Sequence, residues 1–222
     1  MTKESLPFKG ISPTVMLSLQ LDETGYDIAY DSAADCDGTL MGTPVWQPDG
    51  GLAAGALQFD GEDDYVSSDP VLNPAIGPFS VVAWIVGGAP GQVILSQADG
   101  ASGLCMDSVE GNLMTELTNS GRSYVGPMFS QASITDGDWH RIGFVWDGSY
   151  RHLYVDGVEV AGDVVPLSAL KGSDGGLYLG AGSNLAPGTF FCSLIDDDRI
   201  YNRAVHPQWR CSLRKRVQEL AT

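Results

Sequence analysis

Thr-Phe-Phe-Cys-Ser-Leu-Ile-Asp-Asp-Asp-Arg-Ile-Tyr, residues 189–201, is the stretch of this sequence on which the fold depends. Its density of aromatic and β-branched residues predicts a β-strand. Three consecutive carboxylates, Asp196 to Asp198, interrupt the apolar pattern, and like charges this close together are costly. Either Arg199 and solvent or a bound cation must therefore compensate them.

The composition predicts one all-β domain. The chain has 222 residues, with 28 glycines and 12 prolines, and this abundance predicts many tight turns of the kind found in β-sandwiches. About a dozen short strands are predicted, at the spacing expected of a sandwich. The main ones cover residues 15–21, 56–59, 65–66, 79–86, 92–97, 113–117, 139–146, 152–155, 158–160, 177–180 and 189–201.

The clearest local signal lies between residues 139 and 161. Apolar residues alternate from Trp139 to Trp146, and a second apolar run ends at Asp156-Gly157. This dipeptide strongly favours a two-residue hairpin turn. We therefore predict consecutive antiparallel strands here, with Asp156-Gly157 at a tight turn.

The charge of the chain excludes several partners. A net charge of −16 argues against nucleic acid and against an anionic membrane. It suits a protein that binds a cation or that must stay soluble. No apolar run approaches the ~18 residues that a membrane span needs. The first ten residues lack the apolar core of a signal peptide, so we expect a cytoplasmic chain or one from which a signal was removed.

The four cysteines, Cys36, Cys105, Cys192 and Cys211, have no C-x-x-C spacing. This pattern does not indicate a zinc site, and free thiols are expected in preference to disulfides.

The C-terminal segment differs from the rest of the chain. Basic residues dominate it, and Pro207 suits the first turn of a helix. Its apolar residues fall at helical spacing: Trp209, Leu213, Val217 and Leu220. We predict one β-sandwich domain over residues 1–206 and a short basic helix over 207–222 that packs on it. A separate binding role for this tail is the alternative.

Several segments, in this order, carry a family resemblance. They are residues 57–66, 78–84, 138–141, 153–157, 177–180 and 195–204. The set resembles the laminin-G-like, concanavalin-A-like jelly-roll domains of bacterial secreted proteins, over roughly residues 14–206. The resemblance implies a sandwich of two antiparallel sheets that binds glycans or proteins without catalysis and, in many members, holds a calcium ion at one edge. Asp198 stands where the family usually has an aliphatic residue.

A calcium site is the first functional hypothesis, because calcium takes six to eight oxygen ligands from carboxylates and carbonyls. The resemblance implies that Asp196 is one ligand. A carboxylate near the first strand would join it, Asp22 or Asp31, together with a carbonyl at the turn at Gly61. The alternative is a solvated acidic rim in which Asp196 pairs with Arg199.

An enzymatic role is the competing hypothesis. The E-x-D-x-E strand of laminarinase-type glycosidases is absent from the sequence, and residues 60–64 form the nearest acid cluster. No G-x-S-x-G elbow accompanies the three histidines. A hydrolase that uses a divalent metal or carboxylates on the same scaffold therefore stays the alternative.

Trp46 is the one tryptophan that the sequence places in a Pro-rich loop, where it is a candidate for stacking against a ligand. Trp84, Trp139 and Trp146 lie within apolar strands and are expected in the core. The sequence therefore predicts a non-catalytic, calcium-stabilised binding module for glycans or a protein surface. It leaves the ligand and the oligomeric state open.

Overall fold

The computed structural model describes residues 15–205 apart from 53, 99, 101, 107–108, 117–125 and 166–172. Within these ranges the chain is built of strands: β1 (Val15–Leu19), β2 (Ile28–Ala29), β3 (Gly38–Met41), β4 (Val45–Gln47), β5 (Ala56–Asp60), β6 (Tyr65–Ser68), β7 (Phe79–Gly87), β8 (Val93–Gln97), β9 (Ser102–Met106), β10 (Asn112–Thr115), β11 (Met128–Ser133), β12 (His140–Trp146), β13 (Tyr150–Val155), β14 (Val158–Val164), β15 (Leu177–Leu179) and β16 (Cys192–Tyr201). No helix in these ranges is long and apolar enough to cross a membrane. The helix predicted for residues 207–222 lies outside the described residues.

The strands form two antiparallel sheets. The first has the order β14-β13-β12-β7-β16-β5-β4, with β1 also paired to β16, and the second has the order β11-β10-β9-β8-β15-β6-β3-β2. Many neighbours in a sheet are distant in sequence, as in a jelly roll. The all-β jelly-roll fold predicted from the sequence is confirmed.

The core lies between the sheets and is filled by alternate residues of each strand. On β7 the core-facing residues are Phe79, Val81, Ala83 and Ile85, all buried. Phe79 packs edge-on against Phe144 of β12, with ring centroids 5.5 Å apart. Each fully buried side chain of this kind contributes roughly 1.5–3 kcal/mol to folding. The period-two pattern of the sequence therefore decides which face of each strand is inside.

The hairpin predicted between residues 139 and 161 is confirmed. β12, β13 and β14 pair antiparallel in succession. Asp156 and Gly157 form the turn with φ of 52° and 80°, and the two-residue type I′ turn requires positive values at both positions.

His140 joins this turn to the segment before β12. Its Nδ1 lies 2.8 Å from Asp156 Oδ2 and its Nε2 lies 3.0 Å from Asp136 Oδ1. Burial acts to lower the pKa of His140, but the two carboxylates outweigh it and the pKa is raised above its usual value. The imidazolium form therefore holds the hairpin end in place.

β16 is the central strand of the first sheet. Along one side it pairs with β7, from Ser193 to Tyr201. Along the other side it pairs first with β5, over residues 192–195, and then with β1, over residues 198–201. A bulge falls between these two pairings, where Asp197 adopts a φ of 52°.

The three acids of β16 meet three different environments. Asp196 accepts a hydrogen bond from the Leu52 amide, and Asp197 forms an ion pair with Arg199 at 2.7 Å. Asp198 is fully buried and neither of its oxygens has a hydrogen-bond partner. Burial, with a further contribution from Asp197, raises the pKa of Asp198 to about 7. Arg199 thus compensates Asp197 and not Asp196.

Asp198 belongs to the core layer of the sheet. It lies opposite Leu19 of β1, and its neighbour Ile200 lies opposite Leu17; all three of these apolar residues are buried. This is the position where the resemblance leads us to expect an aliphatic residue. Because an unpaired buried carboxyl is costly, the strand keeps this carboxyl at the expense of stability.

Cys36, Cys105 and Cys192 are free thiols, as the sequence predicts. Cys211 lies outside the described residues.

We predict that Asp198→Val stabilises the protein, and more so at high pH. Burial raises the folded-state pKa of Asp198 from its ordinary value of 3.8 to about 7. The pH-dependent contribution of this carboxyl to the free energy of unfolding is therefore fully present below pH 3.8 and is lost as the pH rises through 7. Loss of the full contribution corresponds to on the order of 4 kcal/mol in the free energy of unfolding. Urea unfolding at pH 5 and pH 8 measures this difference, with Asp198→Asn as a control that removes the charge but keeps a buried polar group. Equal stability of wild type and Asp198→Val at pH 8 would contradict the prediction.

We also predict that His140→Gln destabilises the protein at pH 6 and much less at pH 9. A group with a raised folded-state pKa stabilises the fold below its unfolded pKa, and the contribution is lost as pH rises through the folded value. The loss of melting temperature should be only a few degrees because both carboxylates are exposed. Thermal melts at the two pH values measure it, and Asp136→Asn should reproduce part of the effect. A loss that does not change with pH would show that the charged form plays no part.

Candidate functional site

The candidate site lies at the bulge of β16, between the ends of the two strands that pair with it. β1 leaves β16 at Leu19, and β5 joins it at Leu57. Residues 51, 52, 54 and 55, called here the bridging loop, precede β5 and contact Asp196 and Asp22. This edge is where the predicted ligands Asp22 and Asp196 are found.

The bridging loop is hydrogen-bonded to one carboxylate at each end. Asp196 Oδ2 accepts from the Leu52 amide at 3.0 Å, and Asp22 Oδ1 accepts from the Gly55 amide at 2.9 Å. A Cβ atom at Gly51 would collide with the Gly55 carbonyl and would lie 2.9 Å from Asp196 Oδ2. The loop closes tightly because glycine occupies that position. Two carboxylates thus accept hydrogen bonds from one short segment. Carboxylates and backbone carbonyls are the ligand types that calcium prefers.

The carboxylate of Asp31 is occupied by backbone amides. Its Oδ1 accepts from the amides of Ser18 and Ala33 at 2.8 and 2.9 Å, and its Oδ2 accepts from Ala34 and Cys36 at 3.0 and 3.1 Å. Burial acts to raise the pKa of Asp31, but these donors outweigh it and the pKa is lowered. Four donors occupy the four acceptor positions of a carboxylate. Asp31 therefore organises the loop that follows it and ties that loop to β1.

Gly61 lies at the opposite end of β5 from the bridging loop. Its neighbour Asp60 pairs with Cys192, four residues before Asp196 on β16. At about 3.3 Å per strand residue, this places Gly61 roughly 13 Å from Asp196. Calcium–oxygen distances are 2.3–2.6 Å, so the structure does not bring the Gly61 carbonyl and Asp196 to one ion.

A second group of acids surrounds the turn after β5. Carboxylate oxygens of Asp60, Asp63 and Asp64 lie within 4.8 Å of one another. Asp64 is buried and accepts from the amides of Thr43 at 2.6 Å and Asp60 at 3.0 Å. Burial raises the pKa of Asp64, against the effect of these donors. The contacts show that this cluster builds the turn.

Trp46 lies beside the loop that carries Tyr26 and donates a hydrogen bond to it. It is half-buried against the core, and its indole Nε1 donates to the Tyr26 carbonyl at 2.9 Å. Tyr26 itself has a φ of 73° and is 83% exposed. Tyr26 is therefore the most exposed ring of this loop, ahead of Tyr30, and Trp46 hydrogen-bonds to the backbone that carries it.

Tyr26 lies in a loop that begins at Asp22. A side-chain hydrogen bond closes this loop, because the Tyr30 amide donates to Glu23 Oε1 at 2.8 Å. The loop thus links an exposed aromatic ring to one end of the bridging loop. Sequence reasoning missed Tyr26 because its strained backbone depends on Trp46, twenty residues away in the chain.

Several solved structures share this architecture. The binding domain of Paraclostridial Mosquitocidal Protein 1 superposes with a TM-score of 0.69 at 13% identity, over 86% of this chain and 49% of that one. The binding domain of botulinum neurotoxin DC in complex with SialylT gives a TM-score of 0.62 at 13% identity, over 86% and 48%. The chain thus spans about half the length of these toxin domains.

A third structure matches over nearly its whole length. Domain 4 of AbnA, a GH43 extracellular arabinanase from Geobacillus stearothermophilus solved in complex with arabinotriose, gives a TM-score of 0.61 at 18% identity, over 87% of this chain and 94% of that one. At these identities the likeness shows the fold.

The sequence itself supplies the assignment to a family. No curated protein sequence matches the chain. The family model of the concanavalin A-like lectin/glucanases superfamily matches residues 60–209, which is more than half of the sequence and includes β6 to β16. With the two-sheet jelly roll described above, this match shows that the chain belongs to the concanavalin A-like lectin/glucanases superfamily.

Proposed function

We propose that this chain is a non-catalytic binding module for glycans or a protein surface, stabilised by calcium where β16 meets β1 and β5. The observation that carries the proposal is the bridging loop, which is bonded to Asp22 at one end and to Asp196 at the other. Asp22 also begins the loop that displays Tyr26. The cation and the ligand would therefore share one rim of the sandwich.

Calcium fits the residues at this edge. Asp22 and Asp196 would supply carboxylate oxygens and the bridging loop would supply carbonyls, the mixed oxygen set of calcium sites. When bound, the ion neutralises acids in a chain whose net charge is −16. It would also tie the region after β1 to β16. Asp31 and Gly61 are left out of this ligand set because of their contacts and position described above.

A glycan is the ligand class that the comparisons favour. One solved relative in fold is a domain of an arabinanase in complex with arabinotriose, and another is a neurotoxin binding domain in complex with SialylT. An exposed tyrosine offers a flat apolar face with a polar tip, which suits stacking against a sugar. Tyr26 is such a residue, and its backbone is held in advance by Trp46. A protein surface is the second ligand class.

The hydrolase alternative gains no support from the described residues. Its nearest acids, Asp60, Asp63 and Asp64, surround a turn, and the oxygens of Asp64 accept from backbone amides.

We predict that calcium raises the melting temperature and that Asp196→Asn removes the effect. A ligand that binds only the folded state adds about 2.7 kcal/mol at a hundred times its Kd, which corresponds to roughly 5–10 °C in a domain of this size. Asparagine keeps an oxygen for the Leu52 amide but loses the charge. Thermal melts in calcium and in chelator measure the difference, and Asp22→Asn should behave in the same way.

Asp60→Asn and Asp198→Asn are the matched controls, since each neutralises an acid outside the proposed ligand set. Both should keep the calcium response. Loss of the response in Asp60→Asn, with Asp196→Asn unaffected, would place the ion at the turn after β5 instead. No calcium binding by calorimetry at neutral pH would end the calcium proposal.

We predict that Tyr26→Ala weakens glycan binding at least about tenfold, because truncation of a central contact tyrosine often costs 2 kcal/mol or more. The melting temperature should not change, since the ring is solvent-exposed. Calorimetric titration with arabinotriose and with a sialylated trisaccharide measures binding, and Tyr178→Ala, on the other sheet, serves as control. Unchanged affinity of Tyr26→Ala for every sugar that the wild type binds would remove Tyr26 from the site.

A further inference from the structure

A row of three rings lies on the outer face of the first sheet, along β13. Along β13, Arg151, Leu153 and Val155 are buried on the core side. Tyr150, His152 and Tyr154 alternate with them and therefore lie on the outer face. Their ring centroids are 6.2 and 6.3 Å apart, and both ring pairs are tilted by 34°.

Carboxylates hold this row in position. His152 Nδ1 lies 2.9 Å from Glu159 Oε1, and His152 Nε2 lies 3.7 Å from Asp147 Oδ2. The hydroxyl of Tyr154 lies 3.5 Å from Glu159 Oε2. Asp147 in turn accepts from the amide of Tyr150 at 2.8 Å. The side chains of His152 and Tyr154 are thus held by acids, and the backbone of Tyr150 is held by Asp147. This order reduces the conformational entropy that is lost when a ligand binds.

The contact between Glu159 and His152 depends on a glycine. Gly162 lies directly opposite His152 on β14. A Cβ atom there would lie 2.8 Å from Glu159 Oε1. Because that space is open, the carboxylate of Glu159 lies across the strand and reaches the imidazole.

The row is open to solvent at one end and closed at the other. Tyr154 is buried and forms the base, whereas the side chain of Tyr150 is 48% exposed. Both carboxylates are exposed beside it. Tyr150 and its acids therefore form an accessible aromatic surface with hydrogen-bond acceptors at its border.

We propose that Tyr150 and His152, bordered by Asp147 and Glu159, form a second carbohydrate-binding surface, for neutral oligosaccharides. The apolar C–H face of a sugar would stack on Tyr150, and its hydroxyls would donate to the two carboxylates. The assignment of glycans as the ligand class rests on the proposed function. The surface itself lies on β13 and β14 and contains none of the proposed calcium ligands.

The charge of this surface selects among sugars. The acids Asp147 and Glu159 border the rings, and the nearby Arg151 lies on the core side, where it forms an ion pair with Asp163. A sialylated or uronic acid sugar would bring a carboxylate next to carboxylates, which costs binding energy. Neutral sugars carry only hydroxyl donors and meet no such repulsion.

The experiment measures sugar binding in chelator, so that the calcium-dependent rim does not contribute. Arabinotriose and cellopentaose serve as neutral probes and sialyllactose as the acidic one. We expect the wild type to bind a neutral probe in chelator and to bind sialyllactose at least tenfold more weakly. Tyr150→Ala should reduce the neutral affinity at least tenfold, and Glu159→Gln should reduce it as well.

Phe129→Ala is the matched control, because Phe129 is an aromatic residue on β11 with a similar exposure of 49%. It should bind as the wild type does. Titration followed by NMR should shift the imidazole signals of His152 on addition of the neutral probe, which a purely structural role would not produce. Unchanged melting temperatures show that the variants are folded.

Three results would overturn this inference. The first is equal neutral affinity of wild type and Tyr150→Ala, and the second is tighter binding of sialyllactose than of the neutral probes. The third combines two observations: the wild type binds no sugar in chelator, and Tyr26→Ala abolishes sugar binding in calcium. In that case the rim is the sugar-binding site, and the proposed function survives while this inference fails. Absence of sugar binding with and without calcium would overturn both.

Discussion

One strand, β16, makes the pairing on which the rest of the structure depends. It pairs with β7 along one side over nearly its whole length and, along the other, with β5 and then β1. Two partners on the same side cannot both continue past their meeting point, so the chain must turn away there. The bridging loop and the segment after β1 are the result. A candidate cation site at this edge is therefore a consequence of how the sheet is assembled.

The bulge at Asp197 allows one strand to satisfy this requirement. Asp196 faces the bridging loop, while the extra residue sends Asp197 to Arg199. Asp198 then returns to the core side opposite Leu19. Three identical side chains in sequence therefore have three roles: a hydrogen-bond acceptor at the candidate site, a half-buried ion-pair partner and a buried group that weakens the core. A buried polar residue that lowers stability is worth testing for function. Asp198 lies two residues from the candidate calcium ligand Asp196.

The two candidate ligand surfaces differ in how they are built. The rim ring, Tyr26, sits on a loop whose strained backbone is braced by Trp46. The row on β13 sits on a regular strand and is held by side-chain contacts to Glu159 and Asp147. The contact that braces the loop joins residues twenty positions apart, whereas the contacts of the row join β13 to β14 and to the turn before β13. The calcium proposal therefore applies to the rim and leaves the row independent of the ion.

The sequence by itself determined the fold class, the core faces of the longer strands and the hairpin at Asp156-Gly157, because period-two alternation and turn chemistry are local properties. It did not predict β2, β3, β4, β9 or β11, since short strands of mixed polarity take their form from the neighbours they pair with. It named Asp22 and Asp196 as candidate ligands, but only the tertiary structure placed them at the two ends of the bridging loop. The tertiary structure also gave Asp31 four backbone donors, placed Gly61 at the far end of β5 and made Tyr26 the exposed ring in place of Trp46. These outcomes depend on contacts between residues far apart in the chain, which no local pattern encodes.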